Sequence, residues 1–401
     1  MKLLKQIGSF YRSNKVLIFI LVLGLIFTIL GQVLLAPESK VIPPYITLFK
    51  LLGLICLSVS LFMTGSTTKK YLISNIALIL VLIISFELVC FLLLGLPEKE
   101  IKDFSLTDLP PEHVGSQIGS VPYKDSVYVD LKMNGTDTVF NVNYTIDSNH
   151  TRVTPGFNEV KDKYALFFGC SIAFGLGLED NQTLPYHFQN ESEYNAYNFG
   201  YTGYGTNQML ARLQYQNLRP YVKGKDGIAV YVFFWDHIER AIGSMSRYVG
   251  WVSNAPYYFL EDGKLKRDRH FKDGRPLTSG LYERLYQSSI VKYFDVGFPI
   301  GLNEDHFDLV TEMIKESKTA YEKQFGNDEF YVAIYPSFME VDPEKYKSFL
   351  SHLDSKKIKY IDLTKDFKYS DEHTLGGDPH PNSNTNKELS KQLLEQIEKM
   401  Q

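Results

Sequence analysis

The stretch YALFFGCSIAFGLG, residues 164–177, joins a short apolar run to a turn rich in glycine. Its first six residues have the length and the apolar character of a strand that is buried on both faces of a sheet. Ser171 lies two residues beyond that strand, where open α/β sheets bind their ligands. A lone serine in such a place is usually a turn or capping residue, so the rest of the sequence must decide whether Ser171 is a nucleophile.

The same strand pattern returns along the chain and alternates with helical stretches. Further buried strands are predicted at 195–200, 227–234, 329–336 and 359–363. Helices are predicted at 206–217, 303–325, 343–355 and 384–400. Strands that alternate with helices favour a parallel sheet covered on both faces, so the predicted fold class is α/β.

The N-terminal part of the sequence, residues 1–96, contains three apolar runs, at 16–36, 45–63 and 71–96. At about 1.5 Å per residue, runs of this length cross a hydrocarbon core of roughly 30 Å. The first run is too long for the core of a signal peptide, and no small-residue cleavage site follows it. We therefore predict a membrane anchor of three transmembrane helices.

Basic residues predict the orientation of this anchor. Those before the first run and between the second and third runs are Lys2, Lys5, Arg12, Lys15, Lys69 and Lys70. The N-terminus is therefore predicted to be cytoplasmic, and everything after the third run extracytoplasmic. In a bacterium the anchor would lie in the inner membrane and the outer part in the periplasm. Two charged residues lie within the runs, and we expect Glu87 to pair with Lys50.

The composition beyond the anchor excludes several classes of protein. This part of the chain carries 34 basic and 44 acidic residues, so nucleic acids and anionic surfaces are poor partners. Cys170 is its only cysteine, so an internal disulfide is excluded. Gly175 and Gly177 do not continue into a phosphate-binding or dinucleotide-binding motif. No cofactor is expected.

The outer part is predicted to contain two segments. Residues 97–160 are polar and contain several prolines, and their alternating stretches predict short strands, which makes them a small β-rich lead-in. Residues 161–401 contain the α/β pattern. Within them, 240–300 breaks the alternation and is either a lid over a site or a solvent-facing insertion.

A serine hydroxyl needs a base before it attacks a carbonyl, and the sequence offers one. His380 follows the last predicted strand in DPHPN, 378–382, so it is expected at the same sheet edge as Ser171. Asp378 is the carboxylate chosen to orient the imidazole, with Asp371 also near in sequence. The turn after the second strand offers Gly203, whose backbone N–H would share an oxyanion with that of Ser171.

Two other chemistries are possible at these residues. Cys170 would be the better nucleophile if its thiol were ionised, although its side chain should point away from that of Ser171. A metal site could use imidazole and carboxylate groups from His373, Asp378, His380 and Asp371. The prolines that flank His380 and the lack of a helical His-x-x-x-His spacing count against it, so no metal is expected.

Taken together, these blocks resemble the SGNH hydrolase family, also called GDSL esterases and lipases, over about residues 160–400. In that family the nucleophile lies in a Gly-Asp-Ser block after the first strand, to which the Gly-Cys-Ser block at 169–171 is similar. The second family block ends in an oxyanion-hole glycine five residues after an asparagine, which matches Asn198 and Gly203.

Two blocks depart from the family pattern. The family places an aspartate three residues before its catalytic histidine, where this sequence has Gly377, and Asp378 stands two before His380. The family also has an oxyanion-donating asparagine after the third strand, whereas FFWDHIER, 233–240, has Trp235 there. Auxiliary candidates nearby are Asp236, His237 and Arg240. The His237 ring would donate to an oxyanion, or the three residues would only hold the loop.

The resemblance implies a three-layer α/β/α, flavodoxin-like domain and a serine esterase or O-acyltransferase that forms an acyl-enzyme. The expected substrate is an acylated glycan or another ester of the cell envelope, and the lipid membrane is the expected partner of the anchor. The alternative is a catalytically degenerate SGNH domain that serves as a binding or scaffold subunit among envelope proteins. Trp235 and Gly377 favour this alternative.

Overall fold

The computed structural model describes residues 82–95, 117–336, 341–365 and 367–401. The first two predicted spans lie outside these residues, and so does most of the first half of the third. Within the third, residues 82–93 are helical. In the described part of the chain, no helix combines the length and the apolarity needed to cross a membrane.

In the described residues, nine strands form three sheets. They are β1 (Ser126–Asn134), β2 (Asp137–Ile146), β3 (Lys163–Gly169), β4 (Tyr194–Asn198), β5 (Asp226–Phe233), β6 (Pro256–Glu261), β7 (Lys264–His270), β8 (Phe330–Ile334) and β9 (Lys359–Asp362). The central sheet has five strands in the order β4-β3-β5-β8-β9, and every pairing in it is parallel. The predicted α/β class and parallel sheet are confirmed.

Eleven α-helices are described between Ser171 and Met400. They are α1 (Ser171–Phe174), α2 (Leu184–Glu191), α3 (Thr206–Tyr215), α4 (His237–Ile242), α5 (Met245–Arg247), α6 (Phe271–Gly274), α7 (Pro276–Leu285), α8 (Ser289–Tyr293), α9 (Glu304–Phe325), α10 (Pro343–Ser355) and α11 (Ser383–Met400). Short 3₁₀ turns lie at Asp180–Gln182, Arg219–Tyr221 and Asp371–His373, and a π-helical turn at Tyr248–Val252.

The sheet is buried on both faces, as its apolar strands predict. Alternate side chains of β3 enter different cores: Tyr164, Leu166 and Phe168 pack on one face with residues of α3, α9 and α10. Ala165 and Phe167 pack on the other face with residues of α2 and α11. Because successive side chains of a strand point to opposite faces, a strand covered on both sides reads as an unbroken apolar run.

The strand order reverses direction between β3 and β5, which lie side by side in the sheet. The chain leaves β3 for one edge at β4 and then returns to the other side of β3 as β5. In open α/β sheets, the loops that leave such a pair of strands diverge and open a crevice at the carboxyl ends. Ser171 follows β3 and Asp236 follows β5, so both lie at this reversal.

The strands β1 and β2 form an antiparallel hairpin joined by a two-residue turn, with Gly135 at φ +61°. Every second residue of β2 is buried from Phe140 to Ile146. These side chains share a core with Phe174 of α1 and Tyr201 of the loop after β4. The hairpin therefore packs directly on the loops at the carboxyl edge of the sheet.

The segment 240–300, for which no periodicity was evident, contains regular structure. The strands β6 and β7 form a second antiparallel hairpin. Tyr248, Val252 and Phe271 belong to a small apolar core of their own. Short elements of three to ten residues carry too few turns to show a hydrophobic period, which explains why the sequence pattern missed them.

The described residues divide into two compact units, one of which joins 82–95 to 283–297. In this unit the carboxylate of Glu87 accepts hydrogen bonds from the Ser288 hydroxyl at 2.7 Å, from the Ile290 N–H at 3.2 Å and from the Ser289 N–H. The expected partner Lys50 lies outside the described residues. The observed partners are polar groups at the N-terminus of helix α8.

Gly227 tests the packing between the central strands. An added Cβ would lie 2.1 Å from the backbone oxygen of Tyr164 on β3. We expect Gly227→Ala to destabilise the full-length protein by about 3 kcal/mol, because a methyl group forced into a packed core displaces backbone. Thermal unfolding in detergent measures the effect.

The matched control is Gly280→Ala in helix α7, where an added Cβ meets no atom within 4 Å. Here alanine should stabilise the helix by up to about 1 kcal/mol, since it has the higher helix propensity. Equal unfolding temperatures for Gly227→Ala and the wild type would contradict the described strand packing.

Candidate active site

The turn that carries Ser171 is shaped by Gly169. Its φ of +155° is unfavourable for residues with a side chain, and an added Cβ would lie 2.9 Å from Ala173 Cβ and 3.0 Å from the Val232 oxygen. Helix α1 therefore begins immediately after β3, with Ser171 as its first residue. This places the serine hydroxyl at the carboxyl edge of the sheet, where the strand order reverses.

The structure brings Ser171, His380 and Asp378 together. The Ser171 Oγ lies 2.7 Å from His380 Nε2, and His380 Nδ1 lies 2.5 Å from Asp378 Oδ1. A carboxylate can only accept, so Nδ1 carries the ring proton and Nε2 is free to accept from the serine hydroxyl. This is the arrangement in which a histidine activates a serine as a nucleophile.

Asp378 is held as an anion. Burial by itself would raise the pKa of Asp378, but hydrogen bonds from His380 and Lys132, together with the positive charge of His380, hold that pKa well below its usual range. The side chain of Asp378 is only 8% exposed. The carboxylate therefore orients the His380 ring throughout the pH range near neutrality.

The loop before His380 explains why the aspartate stands two residues ahead of the histidine. Gly377 has φ +110°, and an added Cβ there would lie 3.2 Å from Val139 of the hairpin, so an aspartate at 377 would be strained. Asp378 reaches the ring from the next position, because its Oδ1 also accepts the backbone N–H of His380 at 2.9 Å. The short spacing is thus compatible with the orienting contact.

Two backbone N–H groups are candidates for holding an oxyanion, those of Ser171 and Gly203. Neither donates to an acceptor among the described residues. Gly203 lies in a turn with φ +75°. That turn is fixed beside the nucleophile, because the Tyr201 N–H donates to the Gly169 oxygen at 3.3 Å.

Asn198 supports the nucleophile turn and is not open to solvent. The residue is 1% exposed, and its amide donates to the carbonyl oxygens of Ala173 at 2.9 Å and Phe174 at 3.3 Å. Its Oδ1 accepts the Gly200 N–H at 3.1 Å. The side chain therefore joins the end of β4 to helix α1 and acts on Ser171 through the backbone.

Trp235, which occupies the place of the expected asparagine, points away from Ser171. Its ring packs against Phe307, Tyr346 and Phe349 on one face of the sheet, at centroid distances of 5.8 to 6.0 Å. It is partly buried and packs against the core on that face. Trp235 therefore offers no donor to an oxyanion at the sheet edge.

The neighbouring Asp236 and Arg240 hold the loop that carries Gly203. Asp236 accepts from Arg240 Nε and from Arg247 Nε, both at 2.6 Å. Arg240 Nη1 donates to the Tyr204 oxygen at 2.6 Å. Because Tyr204 follows Gly203, this ion pair connects the loops after β4 and β5.

His237 lies inside the protein. Burial, together with the nearby charge of Arg240, lowers the pKa of His237 well below its usual range, so the ring is neutral. Its Nδ1 accepts from the Phe234 N–H at 3.3 Å and lies 2.8 Å from the Tyr231 hydroxyl, while Nε2 has no hydrogen-bond partner among the described residues. With no exposed surface, the ring packs the loop and does not face the cleft.

Cys170 points into a core, and the four residues of the metal alternative are divided, because Asp378 and His380 contact Ser171 or each other while His373 and Asp371 have other surroundings. The Cys170 thiol is 1% exposed and belongs to the core on the α2 and α11 face. His373 Nδ1 contacts the Ser370 hydroxyl at 2.7 Å, and the Asp371 side chain is exposed. Within the described ranges, no group of three or more histidine, cysteine, aspartate or glutamate side chains could share a metal ion.

Arg152 binds the turn that carries Ser171, a role that the sequence patterns did not indicate. Its side chain has no exposed surface, and its guanidinium donates to the carbonyl oxygens of Phe174 at 2.8 Å, Gly175 at 2.7 Å and Leu178 at 2.5 Å. A salt bridge of 3.0 Å joins it to Asp180. An arginine in a polar stretch carries no signal of burial, so only the tertiary structure identifies it.

A cavity of about 170 Å³ lies beside Gly203. Its lining includes Tyr201, Gln208, Asn254 and Trp251, which is 49% exposed. The indole ring packs next to Gly203, where an added Cβ would lie 3.0 Å from Trp251 Cδ1. The 240–300 segment therefore contributes one wall of this cavity.

Comparison with known proteins adds no assignment to this geometry. No family model matches the chain, and no curated protein matches it.

The contacts of Arg152 predict a large effect of its removal. In Arg152→Met three buried carbonyl oxygens and Asp180 would lose their charged donor, so we expect a loss of about 3 to 5 kcal/mol in the free energy of unfolding. Denaturant unfolding of the full-length protein measures it.

Arg219→Met is the matched control, because Arg219 also donates to two loop carbonyls, at 2.6 and 2.7 Å, but is only half-buried. We expect its loss to cost about 1 kcal/mol. If the two variants lose the same stability, the special contribution of Arg152 is disproved.

Proposed function

We propose that this protein is a serine esterase or O-acyltransferase of the SGNH type, anchored in the membrane, that acts on an acylated glycan of the cell envelope. The observation that supports it most directly is the alignment of Ser171 Oγ, His380 and Asp378 at 2.7 and 2.5 Å. The strand order is that of flavodoxin-like doubly wound sheets, and the cores on both faces agree with a three-layer α/β/α domain.

The proposed reaction begins with attack of Ser171 Oγ on an ester carbonyl, while His380 Nε2 takes the hydroxyl proton. The carbonyl oxygen becomes an oxyanion that accepts from the N–H groups of Ser171 and Gly203. As the tetrahedral intermediate collapses, the C–O bond to the alcohol breaks and His380 returns its proton to the leaving oxygen. Asp378 stabilises the imidazolium between these two transfers.

The resulting acyl-enzyme is released by a second attack. Water or a sugar hydroxyl gives its proton to His380 as its oxygen attacks the acyl carbon. When the bond between that carbon and Ser171 Oγ breaks, His380 returns the proton to Oγ, which restores the free serine. Water makes the enzyme an esterase, and a sugar hydroxyl makes it an acyltransferase. The chemistry at Ser171, His380 and Asp378 is the same in both cases.

The cavity beside Gly203 supports a sugar as the group next to the reacting ester. Its walls combine the half-exposed Trp251 with amide side chains from Gln208 and Asn254. Sugars present apolar faces and a ring of hydroxyl groups, which match an aromatic ring and amide donors. The predicted three-helix anchor, 1–96, would hold this site at the outer surface of the membrane that it crosses.

The position of Trp235 favours a second candidate function, a degenerate domain that binds partners. Without the side-chain donor of the family pattern, two backbone N–H groups would hold the oxyanion, and the loss of one donor typically costs about 10²- to 10³-fold in rate. A scaffold protein of the cell envelope would not catalyse a reaction, so the loss of an oxyanion donor would not affect its function. Reactivity of Ser171 distinguishes the two candidates.

A fluorophosphonate probe, which labels only activated serines, tests the proposal on the full-length protein. We expect wild type to be labelled, and Ser171→Ala and His380→Ala to lose labelling, because the hydroxyl is a weak nucleophile without its base. Asp378→Asn should slow labelling by about 10⁴-fold, since the imidazole would lose its orienting anion. Gel fluorescence against time gives the rates.

Cys170→Ala is the control for the neighbouring thiol and should be labelled like the wild type. If folded wild-type protein stays unlabelled, the scaffold function is favoured and the hydrolase proposal fails. Labelling that survives in Ser171→Ala would place the nucleophile elsewhere.

Trp251→Ala tests the sugar subsite. We expect kcat/KM for an acetylated oligosaccharide to fall about fivefold, corresponding to a stacking contact of roughly 1 kcal/mol, while turnover of p-nitrophenyl acetate changes little. Tyr221→Ala is the matched control, because Tyr221 is 50% exposed and lies before β5, at the other end of the sheet. An equal loss on both esters would argue against a sugar contact at Trp251.

A further inference from the structure

The hairpin formed by β1 and β2 sends charged side chains towards the candidate active site. Asp130 and Lys132 lie two residues apart on β1 and therefore on one face of it. Asp130 is 1% exposed, and Lys132 reaches Asp378, which is 246 residues away in sequence. A segment that precedes the α/β sheet thus supplies an ionic contact to the triad.

The contact with Lys132 uses the carboxylate oxygen that the histidine leaves free. Asp378 Oδ1 accepts from the ring and from the backbone of His380, whereas Oδ2 lies 2.8 Å from Lys132 Nζ. Among the described residues, Lys132 is the only partner of Oδ2. The two oxygens are therefore fixed from opposite sides, one by the ring and one by the ammonium group.

The shape of the hairpin favours this contact. Its register shifts between Lys132 and Met133, which is an irregularity of the β-bulge kind. Bulges change the direction of nearby side chains and are frequent beside active sites. Here the shift leaves Val139 out of the register and close to Gly377, at 3.2 Å from an added Cβ, while Lys132 lies against Asp378.

We infer that Lys132 is a positioning residue for the Ser171 nucleophile: its ammonium group fixes the Asp378 carboxylate that orients the His380 ring. The inference rests on the proposed function, because a fixed ring matters only if His380 takes a proton from Ser171. The hairpin then completes the active site, and does not merely join the anchor to the α/β sheet.

The charge of Lys132 also acts on the carboxylate. The ionisable groups around the Asp378–His380 pair are Lys132 and Asp130 from the hairpin and Tyr369 from the loop that precedes His380. Lys132 is the cation among these three. Burial would raise the pKa of Asp378, and the hydrogen bond from Lys132 helps to hold that pKa below its usual range, so the carboxylate beside the ring stays ionised.

The test compares Lys132→Met, Lys132→Arg and wild type in the full-length protein by two measurements. The first is the NMR spectrum of the His380 ring, labelled at Cε1 and assigned with His380→Ala. We expect the ring signal to shift and broaden in Lys132→Met, because the carboxylate that orients the ring is no longer fixed, and to stay near that of wild type in Lys132→Arg, which keeps the charge. This measurement needs no activity.

The second measurement is the rate of fluorophosphonate labelling at neutral pH. In Lys132→Met this rate should fall about tenfold, because the carboxylate is no longer fixed. Lys132→Arg should restore the rate to within about twofold. Lys163→Met is the matched control: Lys163 pairs with Glu193 at the amino end of β3, so neither measurement should change.

The outcomes separate the inference from the proposed function. Unlabelled wild type would reject the serine hydrolase proposal, and the ring signal would still report whether Lys132 acts on His380. The same ring signal in Lys132→Met and wild type would overturn the inference. So would a labelling rate that falls equally in Lys132→Met and Lys132→Arg, because that result indicates only a structural support.

Discussion

The buried guanidinium of Arg152 is the constraint on which the site depends. A charge without exposed surface is costly unless it is paired and hydrogen-bonded, and Arg152 has one carboxylate and three carbonyl partners. All of these partners lie in the chain between Phe174 and Asp180, directly after the nucleophile. A residue that precedes the central sheet therefore fixes the turn that carries Ser171.

Buried charged groups also fix the loop that follows β5. Asp236 joins two arginines, and one of them, Arg240, reaches the carbonyl oxygen of Tyr204 beside Gly203. Asn198 in turn joins the end of β4 to helix α1. Asp236, Arg240 and Asn198 are buried. They fix the loops whose backbone N–H groups would contact a substrate, so much of the polar chemistry near Ser171 serves to position backbone.

The use of buried side chains to position backbone groups matters for the proposed hydrolase. Neither Trp235 nor His237 supplies the side-chain oxyanion donor of the family pattern, because Trp235 packs against the core and His237 is enclosed. Catalysis would then depend on the accuracy with which two backbone N–H groups and one imidazole are held. Contacts from Arg152 and from Lys132 of the hairpin would provide that accuracy, which gives the β-rich lead-in a reason to be fused to the sheet.

Sequence alone determined the parts of this protein that local pattern encodes. The five apolar strands and the four long helices were predicted within a few residues, because burial on both faces and helical periodicity leave direct marks on composition. Ser171, His380 and Asp378 were predicted as partners because residues that follow parallel strands must meet at one edge of the sheet. The two-residue spacing between Asp378 and His380 departs from the family pattern. The positive φ of Gly377 gives the physical reason, because an aspartate at 377 would be strained.

Only the tertiary structure decided which polar residues act on one another. Arg152, Lys132 and Asn198 are unremarkable in sequence, since nothing local separates a buried, bonded side chain from a solvated one. Their roles depend on contacts between residues far apart in the chain, such as the 246 positions between Lys132 and Asp378. The direction of Trp235 is likewise a packing outcome. Sequence patterns indicate which side chains of a segment are buried. Which distant side chains contact one another depends on the tertiary structure that brings their segments together.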